Sequence, residues 1–124
     1  MSISIAYIPK GSSPEQKNIL IEKTKEACMA GLGVTDKHSF VYLQEVDEDC
    51  MDPTAKNMKC LFVYTTLGKS PEGKNLVCKG FDDACAAAFG EDKGRTIVIF
   101  KEHGDENAGS NGYLRPFRPK KMQK

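Results

Sequence analysis

An eight-residue pattern written twice constrains this chain more than anything else in it. Gly11-Ser12-Ser13-Pro14-Glu15-Gln16-Lys17-Asn18 returns as Gly68-Lys69-Ser70-Pro71-Glu72-Gly73-Lys74-Asn75, 57 positions later. Aligning residues 1–33 with 58–90 gives 12 identities, where average composition gives roughly two by chance. A chain of 124 residues is one ordinary domain, too short for two independent cores. The two halves must therefore share one core. The expected layout is a single domain, 1–124, made of a first repeat at 2–46, a linker at 47–57, a second repeat at 58–103 and a tail at 104–124.

Local chemistry gives each repeat its elements. Ile3 to Ile8 is rich in β-branched and aromatic residues and alternates Ile3, Ile5 and Tyr7 with Ser4, Ala6 and Ile8, the period of a strand. Ser13 then suits a helix N-cap, Pro14 the first helical position and Gln16 the return partner of a capping box. The apolar stripe Leu20, Thr24, Ala27, Cys28 and Gly31 steps by three and four, and reappears as Val77, Phe81, Ala84, Cys85 and Ala88. Ser39 to Glu45 and Thr96 to Glu102 follow as strands. Each half reads strand, helix, strand, and a crossover of that length makes its two strands parallel and right-handed. The expected fold is α/β (α+β): a tandem β-α-β repeat, with a four-stranded sheet carrying two helices on one face. The other sheet face, with Phe40, Tyr42, Ile97 and Ile99, is left uncovered, which predicts an oligomer.

Composition excludes several functions. A net charge of +1 argues against a generally basic nucleic-acid binder, although Arg115, Arg118, Lys120, Lys121 and Lys124 crowd the end of the chain without interleaved aromatics. Five cysteines, with no C-x-x-C pair, indicate neither a zinc knuckle nor a disulfide framework, and point to reduced thiols in a cytoplasmic protein. Cys28 and Cys85 fall on the helix stripes as core residues. No export or membrane signal is visible. The acidic run Asp47-Glu48-Asp49 fits no calcium pattern and Gly68-Lys69-Ser70 no phosphate loop. No metal and no cofactor are assigned.

Residues 2–21, especially Gly11, Ser13, Glu15, Gln16, Lys17, Leu20 and Ile21, resemble the opening of 4-oxalocrotonate tautomerase. Leu67-Gly68-Lys69, Asn107-Ala108 and Gly112-Tyr113 resemble the second half of macrophage migration inhibitory factor. The chain is thus similar to the tautomerase superfamily. The resemblance implies a homotrimer whose sheets form an inner barrel, sites at subunit boundaries, and an amino-terminal proline that shuttles protons on small 2-oxo or enol carboxylates. Ser2 stands at that position. If Met1 is removed, Ser2 presents a primary α-amine, usable as a base when desolvated; with Met1 retained, the amine is pushed past the family's position. The family's arginines, tyrosine and asparagine are replaced by Ser12, Phe40, Ile97 and Ile99. The implied function is therefore a tautomerase-type isomerase of reduced or altered activity. The alternative is a non-catalytic binding protein that keeps the fold.

The candidate site residues follow. Ser2 and its repeat equivalent Lys59 are the catalytic candidates. Lys59 is either a base or Schiff-base amine in an apolar pocket, or a solvated lysine at a strand entrance. Lys69, beside the Ser70 helix start, is either positioned for a carboxylate or phosphate or a surface turn lysine; Arg115, with Arg118, is either a two-point clamp for a carboxylate or part of a solvated basic end; and Tyr113 is the third substrate-binding candidate. His38 and His103, at non-equivalent places in the repeats, read as surface histidines, and Glu45 and Glu102 as edge-of-sheet solubilising charges. Any pocket is expected beside Lys69 and not at the amino terminus.

Overall fold

A computed structural model describes residues 1–122; Lys124 of the basic tail lies outside the described residues. The chain runs β1 (Ser2–Pro9), α1 (Pro14–Leu32), β2 (Ser39–Val46), β3 (Lys59–Thr66), α2 (Pro71–Phe89) and β4 (Thr96–His103), followed by a small hairpin of β5 (Gly109–Ser110) and β6 (Tyr113–Leu114). The sheet order is β2-β1-β3-β4. Within each repeat the strands are parallel, β1 with β2 and β3 with β4. The repeats meet through β1 and β3, which pair antiparallel. The expected strand-helix-strand units and single-sided helices are both present.

The doubled pattern starts both helices in the same way. Ser13 Oγ accepts from Gln16 N at 3.1 Å while Ser13 N donates to Gln16 Oε1 at 2.8 Å, a complete capping box. In the second copy Ser70 Oγ accepts from Gly73 N at 3.0 Å and the return bond is missing. Gly11 and Gly68 take φ of +103° and +92°, which only glycine adopts without cost, so the turn before each helix requires that residue.

Glu45 and Glu102 do more than solubilise an edge. Glu45 Oε2 accepts from Gly11 N at 2.8 Å and Oε1 pairs with Lys17 at 2.6 Å, tying the first turn and α1 to the end of β2. Glu102 repeats this with Gly68 N and Lys74. The lysine and glycine of the pattern are therefore partners of a strand-end acid one strand away. Lys17 first, then the Gly11 N–H, hold the Glu45 carboxyl below its ordinary value; Lys74 does the same for Glu102. A depressed carboxylate contributes stability that is complete above its unfolded pKa and lost as pH falls through the folded one. Urea midpoints should fall between about pH 5 and pH 3 less steeply for Glu45→Gln than for the wild type; parallel curves would contradict the clamp.

The core lies between the sheet and the two helices. Ala6, Ile8, Leu61 and Val63 face Leu20, Cys28, Leu32, Val77, Phe81, Ala84 and Cys85, all buried. Each large side chain removed from water there contributes roughly 1.5–3 kcal/mol. The helices are antiparallel and touch through small residues: a Cβ on Gly73 would lie 2.1 Å from Gly31 O, and one on Gly80 2.2 Å from the Ala27 Cβ. This contact explains why the second repeat has Gly73 where the first has Gln16. An alanine normally improves a helix interior; here Gly73→Ala should lower stability by about 1–3 kcal/mol through overpacking. Chemical denaturation checks it, and an unchanged or higher midpoint would refute the close approach.

Candidate functional site

Antiparallel pairing of β1 with β3 decides what meets at each end of the sheet. The start of β1 lies beside the end of β3 and the second turn; the start of β3 lies beside the end of β1 and the first turn. Ser2 pairs with Thr65, and Tyr7 with Cys60. Ser2 and Lys59 therefore sit at opposite ends of the central strand pair, six residues or roughly 20 Å apart. The structure does not bring these two candidates into one site.

At the Lys59 end a cavity of about 220 Å³ lies against Gly11, Ser12, Gln16, Asn57, Lys59 and Phe89, but the Lys59 side chain is turned inward and tied down. Lys59 is 2% exposed, and Nζ donates to Asn57 O at 3.2 Å, Asn57 Oδ1 at 2.9 Å and Lys93 O at 2.5 Å, with the Phe89 ring centroid 4.6 Å away. An ammonium has three hydrogens, and all three are engaged. Burial holds its pKa below that of an ordinary lysine. The solvated reading fails on burial. The nucleophile reading is opposed by the bonds, which fasten the linker to the loop before β4. Lys59→Met would leave three carbonyl oxygens without their donor and should cost about 2–4 kcal/mol in urea unfolding. Undiminished stability would show that these bonds do not hold the linker.

At the amino end a cavity of about 330 Å³ is lined by Met1 just before β1, Thr66 and His103 from the sheet, His38 before β2, and Asp105, Arg115 and Arg118 from the tail. Thr65 Oγ1 donates to Met1 O at 3.1 Å, which fixes the first residue against β3. Burial first, then the charges of Lys69 and Arg115, hold the Met1 α-amine below its usual value of 8.0. Lys69, half-buried in the second turn, therefore belongs to the same end as the chain's start. The sequence expectation set these apart as alternatives; in the fold they are one place.

The other candidates divide. Ser2 is fully buried, its Oγ donating to Ser39 Oγ at 3.3 Å, so with Met1 present its hydroxyl does not reach the cavity. Arg115 lines the cavity, 4.0 Å from Asp105. Tyr113 lies on the tail hairpin, 42% exposed and outside the lining. His38, exposed as expected, and His103, half-buried, both line the cavity. Only the handedness of pairing between repeats could have brought them together, and no residue pattern in the chain states it.

Solved structures share this architecture. A fused 4-OT, determined as an asymmetric trimer, superposes with a TM-score of 0.80 at 17% identity, over 90% of this chain and 94% of its own. Pt0534 inactivated by 2-oxo-3-pentynoate gives 0.78 at 18% identity, over 89% and 93%. Macrophage migration inhibitory factor from Toxoplasma gondii gives 0.73 at 15% identity, over 90% and 97%. No protein-family model matches the sequence, and neither does any curated protein. The chain has the tautomerase-superfamily fold. Among the described residues no helix is long and apolar enough to cross a membrane.

Proposed function

We propose that this chain is an isomerase of small 2-oxo or enol carboxylates, with activity altered because Ser2 stands where the superfamily's proline would. The observation that carries the reading is the α-amine. It sits on the wall of a cavity shared with Arg115 and beside Lys69, and its pKa is depressed by burial and by those two cations. A depressed amine is neutral, and so basic, over more of the physiological range. The same cations that depress it are suited to a carboxylate. Inactivation of Pt0534 by a 2-oxo acid supports the substrate class.

The open sheet face supports a homotrimer. Phe40, Tyr42, Tyr64 and Ile99 are 42%, 60%, 39% and 46% exposed on it, an apolar surface too continuous to leave in water. A fused 4-OT with this fold is a trimer. Two further copies then cover the face and help to close the cavity, and Tyr113 and Phe117 of the tail pack on a neighbour. Five free thiols suit a reducing compartment, the cytoplasm.

Ketonisation of phenylpyruvate and 2-hydroxymuconate tests the reading. The rate should exceed buffer, and kcat/KM should rise with pH through an amine pKa below 8.0. Arg115→Ala and Lys69→Ala should each raise KM about tenfold, a loss of about 1.4 kcal/mol. Sedimentation should give three times 13.7 kDa. Rates at background on both substrates would remove the isomerase reading and leave a binding protein; a monomer at micromolar concentration would remove the trimer.

A further inference from the structure

The first residue is anchored by a side chain and not by the sheet ladder. That ladder begins at Ser2, which pairs with Ser39 on one side and Thr65 on the other. Met1 lies one step before it, and chain ends fray unless they are tied down. The tie is Thr65, 0% exposed, whose Oγ1 donates to Met1 O at 3.1 Å. Ladder and hydroxyl together hold both ends of the planar Met1–Ser2 peptide. One torsion, about the Met1 Cα–C bond, then separates that plane from the α-amine.

The repeat shows where that hydroxyl departs from plain packing. Displaced by 57 positions, Met1 corresponds to Met58, Ser2 to Lys59 and Thr65 to Ile8. At the Lys59 end the linker holds the strand entrance, Met58 N donating to Ala55 O at 3.0 Å, and the equivalent position is the apolar Ile8, 1% exposed. At the amino end a hydroxyl takes its place, although burying one costs free energy unless it is hydrogen-bonded. Met1 O accepts that bond. The charged and titratable groups facing the amine are His38, His103, Asp105, Arg115 and Arg118 at the cavity and Lys69 on the adjoining turn. Burial, then the charges of Lys69 and Arg115, disfavour its protonated form there, so an untethered amine would swing out to water as it gained a proton.

We infer that Thr65 is a positioning residue of this site: through the Met1 carbonyl, its hydroxyl keeps the α-amine on the cavity wall. The inference rests on the isomerase reading, and it requires Met1 to remain on the working protein. Thr65 itself touches no substrate. Its contribution is geometric, because proton transfer needs the two heavy atoms within about 2.6–3.2 Å of each other and a misplacement of about 1 Å can cost about 100-fold in rate. A frayed Met1 would occupy the wall for only part of the time. Away from it the amine would be hydrated and more readily protonated. Thr65 thus acts both on where the amine stands and on how much of it is neutral.

The test compares the wild type with Thr65→Val, which keeps the shape and loses the hydroxyl, and Thr65→Ser, which keeps the hydroxyl. Each is followed by intact mass, sedimentation, phenylpyruvate ketonisation and NMR titration of Met1 in protein labelled with carbon-13 methionine. The mass should include Met1. Thr65→Val should move the titration of the amine up toward 8.0 and lower kcat/KM about tenfold or more, with assembly unchanged. Thr65→Ser should restore both. A mass without Met1, a valine variant with wild-type titration and kcat/KM, a serine variant as impaired as the valine one, or activity lost only together with assembly overturns the inference. An active wild type indifferent to Thr65 leaves the isomerase reading standing. A wild type at buffer background on phenylpyruvate and 2-hydroxymuconate refutes both.

Discussion

The antiparallel pairing of β1 with β3 is the constraint on which the rest depends. Two parallel β-α-β units can be joined edge to edge in more than one way, and this joint relates them by an approximate twofold axis. It aligns α1 and α2 antiparallel, which brings Gly31 against Gly73 and Ala27 against Gly80 and permits the small-residue contact. It also sends the beginning of each repeat to the turn of the other. Met1 consequently meets Lys69, while Lys59 meets the end of β1 and the first turn.

Two ends built on the same repeated pattern thus differ in chemistry. At one, a lysine at the strand entrance turns inward, gives all three hydrogens to carbonyl oxygens and lies against Phe89. That end becomes a latch for the linker. At the other, the strand entrance carries a small buried serine, the α-amine stands beyond it, and the tail adds Arg115 and Arg118 to a cavity that retains free volume. The turn residue differs in the matching sense: Ser12 at the latched end, Lys69 at the amino end. Lys69, Arg115 and Arg118 bring positive charge to the amino end, where Asp105 lines the cavity and Glu102 lies near Lys69.

Much of the fold was legible because the pattern is local. Ser13 with Gln16, Pro14, the two helix stripes and the period-two strands each specify an element within a few residues. The site was less legible because it is made by contacts between the repeats. His38 precedes β2 and His103 ends β4, so their positions in the repeats differ, and only the mixed pairing sets them in one row. Lys59 looked like a strand-entrance lysine; its burial depends on Asn57, Phe89 and Lys93, from three separate segments. Glu45 and Glu102 gained their role from turns one strand away, which alternation along β2 or β4 does not encode.

The proposed function requires the cavity at the Met1 end to bind a small carboxylate. A crystal structure with malonate, a competitor that cannot turn over by this chemistry, addresses it most directly. Malonate should lie between the Met1 α-amine and Arg115, within reach of Lys69 and His103. Malonate at the Lys59 end, or no malonate at the Met1 end at saturating concentration, would contradict it.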